Sequence, residues 1–355
     1  MNDHERPGLN PPPTPRPIEE QAHWCRSCRP PSAAAARAPT TITSMLPPCF
    51  PTMAGGRLDA PATTPVRGGS GWPCFAWPAL GGKLALMNVY AIELAEGEVK
   101  ARFLSREGSP HERQRIPVGA FLVDHPRGPV LIDAGLPVPP RMVDRALGRL
   151  LTGSWSSAPR CLPEQLAEHG LDPDDVRMLV LTHLHWDHTG TSDRFLRAAV
   201  VLGAADLRGA MRPGGWRRGH AGVVLPPPER TRALELDDGP AWGPFAHSLD
   251  LLGDGSIILL PTPGHTPGSL TVVVQQDAAP LIFCGDACFL ASALLRGSGN
   301  GSTLGRPHDR DTAVAAITSA RLRALLQIHP GARLIPSHDP QVWATLPRWP
   351  VPMVS

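Results

Sequence analysis

A short, nearly continuous apolar run, Val176–Leu181, leads directly into His183-Leu184-His185-Trp186-Asp187-His188, and this junction restricts the fold more than any other stretch of the chain. A run of that length and composition reads as a core strand. Alternation along a strand sends positions 183 and 185 to the same side, so both rings can converge on one ion. Asp187 and His188 come where the chain turns and can serve a second ion beside the first. Neutral imidazoles with a carboxylate suit zinc, iron or manganese.

The rest of the chain narrows the class. It has 355 residues and a formal net charge of +2, with arginine carrying nearly all the positive charge. There is no basic run with interleaved aromatics, so a nucleic-acid footprint is absent. No apolar run is long enough to cross a bilayer, and the first 32 residues lack the apolar core of a secretory signal. The seven cysteines are scattered and odd in number, which argues against a disulfide framework. Cys25 and Cys28 have the spacing of a metal knuckle, but no second pair accompanies them. These features predict a soluble, cytoplasmic protein with a small-molecule substrate, no nucleic-acid partner and no membrane association; a homodimer is one expected assembly.

Residues 1–80 differ in texture from the remainder of the chain. Sixteen of the 43 prolines lie there, with an alanine run at 33–36 and no sustained period of 2 or 3.6. Such a segment buries too little apolar surface to offset its ordering entropy, so it is predicted to be a disordered, proline-rich N-terminal extension, with Met53 and Met87 as alternative starts. Residues 81–355 form the predicted catalytic domain. Strands are expected over Leu84–Leu94, Pro117–Asp124, Pro129–Asp133, Ala198–Leu202, Ser256–Leu260, Leu270–Gln275, Leu281–Phe283 and Ala332–Ile335, with a turn at His125–Gly128. Helices are expected over Arg141–Leu151, Leu162–His169, Ala204–Met211 and Asp311–Ile328. In the last, Asp311 caps the start and Val314, Ile317, Leu322, Leu325 and Leu326 form the buried stripe. Residues 212–245, rich in Pro, Gly and Trp, read as an irregular insertion that is either a surface loop or a substrate lid presenting Trp216, Trp242 and Phe245. Two inner sheets with helices outside are the architecture this order implies.

Further candidate ligands lie downstream. His265 sits in Thr262-Pro263-Gly264-His265-Thr266-Pro267-Gly268, where flanking prolines and glycines fix the backbone. Asp286 follows the strand Leu281–Phe283, and a carboxylate there can bridge two cations with its two oxygens. His338 follows the strand Ala332–Ile335. Cys284 ends a strand and is assigned to packing. No Gly-x-Ser-x-Gly elbow is present.

The run Thr182–Gly190, with Pro263–Ser269, Gly285–Ala287 and Ser337–Asp339, resembles the metallo-β-lactamase superfamily over residues 84–345. The resemblance implies an α/β fold, the four-layer αβ/βα sandwich, and two divalent metal ions, Zn2+ in first place, with Mn2+ or Fe2+ as alternatives. It implies that His183, His185 and His265 hold one ion, that Asp187, His188 and His338 hold the other, and that Asp286 bridges. Asp133, in Leu131-Ile132-Asp133-Ala134-Gly135, would support the site from behind. The hairpin Ala120–Gly135, the Thr-Pro-Gly-His turn and Ser337-His338-Asp339-Pro340 are most similar to the N-acyl homoserine lactonase-like branch. That branch implies ring opening of a lactone by a metal-bridging hydroxide, with Asp187 orienting the nucleophile and passing its proton to the leaving group. Phe289 stands where that branch carries a tyrosine, which removes one hydrogen-bond donor. Alternatives are a phosphotriester or phosphodiester hydrolase on the same metals and, in another class, a mononuclear iron dioxygenase of persulfide type.

Overall fold

The computed structural model of the chain describes residues 87–136, 160–213, 223–303 and 305–350, and the backbone of 154–157. The expected extension over 1–80, the helix over 141–151, Trp216 and the Cys25–Cys28 pair lie outside the described residues.

Strand alternation builds the core. The first sheet contains β1 (Asn88–Lys100), β2 (Arg113–Asp124), β3 (Val130–Ile132), β4 (Ser154–Ser157), β5 (Met178–Val180), β6 (Ala199–Gly203) and β7 (Thr231–Leu234), in the order β4-β1-β2-β3-β5-β6-β7. The second contains β8 (Leu249–Asp250), β9 (Ile257–Pro261), β10 (Leu270–Val274), β11 (Leu281–Gly285) and β14 (Arg333–Pro336), in the order β14-β11-β10-β9-β8. A small hairpin pairs β12 (Ser302–Thr303) with β13 (Arg306–Pro307).

One set of alternate side chains faces the other sheet. Phe121, Val123, Val130, Ile132, Val180 and Val201 meet Ile257, Leu259, Val272, Val274, Phe283 and Ile335 in a shared core. The intervening residues point outward. Leu122, Leu131, Leu179, Val200 and Leu202 pack with Leu162 and Leu166 of the Leu162–Glu168 helix. Ile258, Leu260, Val273, Ile282 and Leu334 pack with Leu322 and Leu325 of the Thr312–Ile328 helix. Helices on both outer faces of two packed sheets make the αβ/βα sandwich that the sequence implied.

Two expectations change. The stripe of the Thr312–Ile328 helix is rotated: Ile317 is 54% exposed, while Ala315, Thr318 and Ser319 are buried with Leu322 and Leu325. The helix start lies against the Thr262–Gly268 turn, where only small side chains fit. Thr318 Oγ1 donates to the Pro263 carbonyl at 2.6 Å. Gly264, at φ +136°, has Ala315 so close that a Cβ would lie 2.5 Å from its Cα. Asp311 caps this helix as expected, accepting from the Ala313 and Val314 amides at 3.0 Å each. The segment 212–245 is also less irregular than expected. Thr231–Leu234 joins the first sheet in parallel beside β6. Phe245 is buried under the Thr312–Ile328 helix, and Trp242 stacks on His329 just beyond that helix's C-terminal end. Both aromatics therefore cover the outside of the second sheet rather than a substrate opening. Among the described residues, no helix is long and apolar enough to cross a membrane.

Candidate metal centre

The histidine cluster sits where the carboxyl ends of β3, β5, β11 and β14 meet. β5 stops at Val180, so strand alternation does not aim His183 and His185. A folded loop does, and its backbone is tied from several sides. The Leu270 amide donates to the Thr182 carbonyl at 2.7 Å, and the Thr182 amide donates to Asp133 Oδ1 at 2.7 Å. His188 lies in the short Trp186–Thr189 helix that comes next. His265 occupies the turn between β9 and β10, Asp286 follows β11, and His338 follows β14.

All seven predicted side chains come together. The ligand atoms of His183, His185, His265 and Asp286 lie within 4.8 Å of one another, and so do those of Asp187, His188 and His338. Asp286 stands between the groups. Its Oδ2 is 3.6 Å from His183 Nε2 and 3.4 Å from His265 Nε2. Its Oδ1 is 3.5 Å from His188 Nε2 and 3.4 Å from His338 Nε2. Asp187 Oδ2 is 3.5 Å from His338 Nε2 and 3.9 Å from His188 Nε2.

The chemistry of the donor set fits cations. His183 Nε2, His188 Nε2 and Asp286 Oδ1 are buried without a hydrogen-bond partner. A buried polar atom left bare costs about 1–3 kcal/mol. With imidazole and carboxylate donors around them, all three would be satisfied by divalent ions.

Groups behind the ring set tautomer and orientation. Asp133 adopts φ +61°, an unusual backbone for a non-glycine residue, and places Oδ2 2.8 Å from His188 Nδ1 and 2.9 Å from the Thr182 hydroxyl that donates to it. This is the supporting place the resemblance implied. His338 Nδ1 donates to the Pro117 carbonyl at 2.9 Å, which leaves Nε2 as its acceptor face.

Electrostatics differ across the cluster. Burial drives His183 well below the ordinary histidine pKa, and the His188 imidazole beside it adds to the fall. Burial also opposes charge on His188, but Asp133, Asp286 and Asp187 outweigh it and hold His188 well above the ordinary value. His338 is raised as well, burial being outweighed by Asp286 and Asp187. Burial would raise Asp286, yet His338, His188 and His183 pull it well below the usual carboxylate range.

The metallo-β-lactamase superfamily profile matches residues 114–338, well over half of the chain and all seven of these positions. The chain belongs to the metallo-β-lactamase superfamily. Its relatives include the N-acyl homoserine lactonase AttM of Azorhizobium caulinodans, 27% identical over 243 residues that span 66% of this chain and 86% of the relative. A probable metallo-hydrolase of Mycobacterium tuberculosis is 31% identical over 185 residues, 48% of this chain and 56% of the relative. Among solved structures, an N-acyl homoserine lactone hydrolase with N-hexanoyl-L-homoserine at its catalytic metal centre superposes with a TM-score of 0.57 at 16% identity, covering 75% of this chain and 99% of that one. Members of the metallo-β-lactamase superfamily bind divalent metals, and this chain is a lactonase-like metal-dependent hydrolase of that superfamily.

Within this metallo-β-lactamase site, Phe289 is 2% exposed and walls the centre, its ring 5.7 Å from that of His265 and 5.9 Å from that of His338. Phe103 stacks on its other side at 5.4 Å. Cys284 and Cys288 pack in the outer core of the second sheet, as expected for Cys284. Sequence reasoning missed two supports. Asn300 Nδ2 donates to the Asp286 carbonyl at 2.8 Å and to Asp309 Oδ1 at 2.9 Å, and that oxygen lies 3.7 Å from His265 Nδ1. Asp206, at the start of the Ala204–Met211 helix, is buried beside both histidine loops. Neither carries a local motif; Asp206 reads in sequence as an ordinary acidic residue of a helix's first turn.

Proposed function

We propose that the chain is a dinuclear metal-dependent hydrolase that opens a lactone or a similar ester with water. The observation that carries this reading is the division of Asp286, whose two oxygens face two different histidine pairs at 3.4–3.6 Å. His183, His185 and His265 would hold one ion and Asp187, His188 and His338 the other, with Asp286 shared. A single-ion iron site has no use for the second set, which favours the hydrolase over the dioxygenase alternative.

Two divalent ions held there, with Zn2+ expected, would supply a hydroxide near neutral pH and Lewis acidity toward the ester carbonyl. The chain's own residues do the rest. Asp187 is the least buried carboxylate of the cluster, its side chain 14% exposed against 5% for Asp286. This exposure supports a role for Asp187 in orienting the attacking water and carrying its proton to the departing alkoxide. Asp133 and the Pro117 carbonyl hold the His188 and His338 rings in one tautomer, so the cluster stays aligned as charge develops. Phe289 offers an apolar wall without a donor, so carbonyl activation does not come from this position. The lactone assignment is supported by the relatives' names and by the likeness of fold.

The test is a panel of N-acyl homoserine lactones, simple aryl esters, phosphotriesters and β-lactams offered to zinc- and manganese-loaded full-length protein. Lactone turnover to the ring-opened acid, abolished by Asp187→Asn and by His265→Ala, is the expected result. Turnover confined to phosphotriesters would reject the lactone reading.

A further inference from the structure

We propose that Asp206 is a positioning residue that clamps the His183–His185 loop to the His265 turn and thereby sets how tightly that half of the centre holds its ion. The inference rests on the dinuclear reading of the site. Asp206 is 0% exposed, and its hydrogen bonds go to the backbone and hydroxyl groups around the proposed ligands rather than to the ligand side chains. Its Oδ2 accepts from the Leu184 amide at 3.1 Å, between His183 and His185, and from the Thr266 hydroxyl at 2.8 Å, next to His265. Its Oδ1 accepts from the Gly268 amide at 2.7 Å, at the end of the same turn. One carboxylate thus joins two loops that are distant in sequence and belong to different sheets.

The chemistry of these partners requires a carboxylate. All three are donors, two of them backbone amides, and both oxygens are used. An asparagine would turn an NH2 group toward a donor at one end or the other and lose that arm. Close packing points the same way. A Cβ on Gly268 would lie 2.6 Å from the Asp206 nitrogen, and one on Gly203 would lie 2.0 Å from the Gly268 carbonyl oxygen. The Gly203–Asp206 joint is therefore seated directly against the His265 turn, with no room for the turn to drift inward. The Thr266 hydroxyl is also within 2.6 Å of Ser269 Oγ, which ties the turn's two ends to the same anchor.

A clamp of this kind predicts an effect on one half of the centre. His188 and His338 are oriented by other groups, Asp133 and the Pro117 carbonyl. Loss of a supporting hydrogen bond behind metal ligands costs about 10–100-fold in metal affinity. The experiment is transfer of zinc from zinc-loaded full-length protein to a chromophoric chelator, comparing wild type with Asp206→Ala, Asp206→Asn and Thr266→Val. The expected result is that in both Asp206 variants one equivalent of zinc is held about 10-fold more weakly or worse while the other is unchanged, with Thr266→Val giving a smaller loss of the same equivalent. Melting temperatures of the metal-free proteins are measured alongside. Unchanged transfer of both equivalents would overturn the proposal, and so would parallel weakening of both with a lowered melting temperature, which is what a purely structural role produces. If Asp206→Ala does not fold, Asp206→Asn and Thr266→Val carry the test. Failure of the wild type itself to hold two equivalents would sink the dinuclear reading instead.

Discussion

His188 and His338 each turn Nδ1 onto a fixed oxygen, the Asp133 carboxylate at 2.8 Å and the Pro117 carbonyl at 2.9 Å. His183 and His265, across Asp286, are held less firmly at Nδ1: the Thr182 hydroxyl meets His183 at 3.2 Å, and Asp309 lies 3.7 Å from His265, beyond hydrogen-bond reach. On one side the rings are oriented individually. On the other the loops are fixed through their backbones, by Asp206 and by the small-residue contact between the His265 turn and the Thr312–Ile328 helix. Charge obeys the same division, since His183 is pushed well below the usual histidine range and His188 and His338 are raised. Two ways of building a rigid site meet at one shared carboxylate, so damage to either side should be separable, and damage to the carboxylate should not.

Asp286→Asn breaks both sides at once and should have the largest effect. Loss of both bound ions and a fall in kcat of about 1000-fold or more are expected, the scale on which removal of one charge-stabilising group costs an enzyme; metal analysis and steady-state kinetics check this. Asp133→Asn should injure the ring-oriented side most, and the His183 side less, through the Thr182 amide that Asp133 also accepts. The amide cannot serve His188 Nδ1–H and both Thr182 donors, so the ion beside His188 should be held about 10–100-fold more weakly while the other loses less. Retention of both ions at wild-type affinity would show that His188 needs no orienting partner. Phe289→Tyr touches His265 and His338 together from the wall. It should leave both ions in place, and any change should be confined to kcat for lactones.

The smallest effect concerns His308, whose ring lies 4.1 Å from Phe103 and 5.5 Å from Phe289. Burial, with the His265 imidazole adding to it, lowers its pKa to about 4. The folded pKa is below the unfolded value, so between the two the unfolded chain binds more protons. This contribution to stability is therefore complete above pH 6.5 and is lost as pH falls through about 4. Urea unfolding at about pH 7 and about pH 4.5, on either side of the unfolded histidine pKa, should show a steeper loss for the wild type than for His308→Gln. Equal losses would show that His308 contributes nothing to the pH dependence.

Much of the fold was readable because its strands are short, apolar and bounded by turn residues. Val130–Ile132, Met178–Val180 and Ala199–Gly203 all lie within or beside expected runs. The αβ/βα arrangement was implied by their order and by the family resemblance. Other features depended on contacts that no local pattern encodes. The burial of Ala315, Thr318 and Ser319 beside Leu322 and Leu325 depends on the neighbouring turn, where Gly264 meets Ala315, while at about 100° per residue Ile317 falls on another face. β7 was hidden in a segment whose prolines and tryptophans suggested a loop, and Trp242 and Phe245 found their partners in and beside a helix far along the chain. The candidate ligands stood out because their residue types are rare at strand ends. Asp206, Asn300 and Asp309 did not, since each acts through partners distant in sequence or through backbone atoms that carry no signature of their own.

The proposed chemistry depends on a centre for two ions shared through Asp286. Its most direct test is the metal content of purified full-length protein, by elemental analysis after equilibration with zinc and removal of loosely bound ions. Two equivalents per chain are predicted, falling to none in Asp286→Asn. A single equivalent in the wild type, retained when Asp187 and His338 are both replaced by alanine, would contradict it.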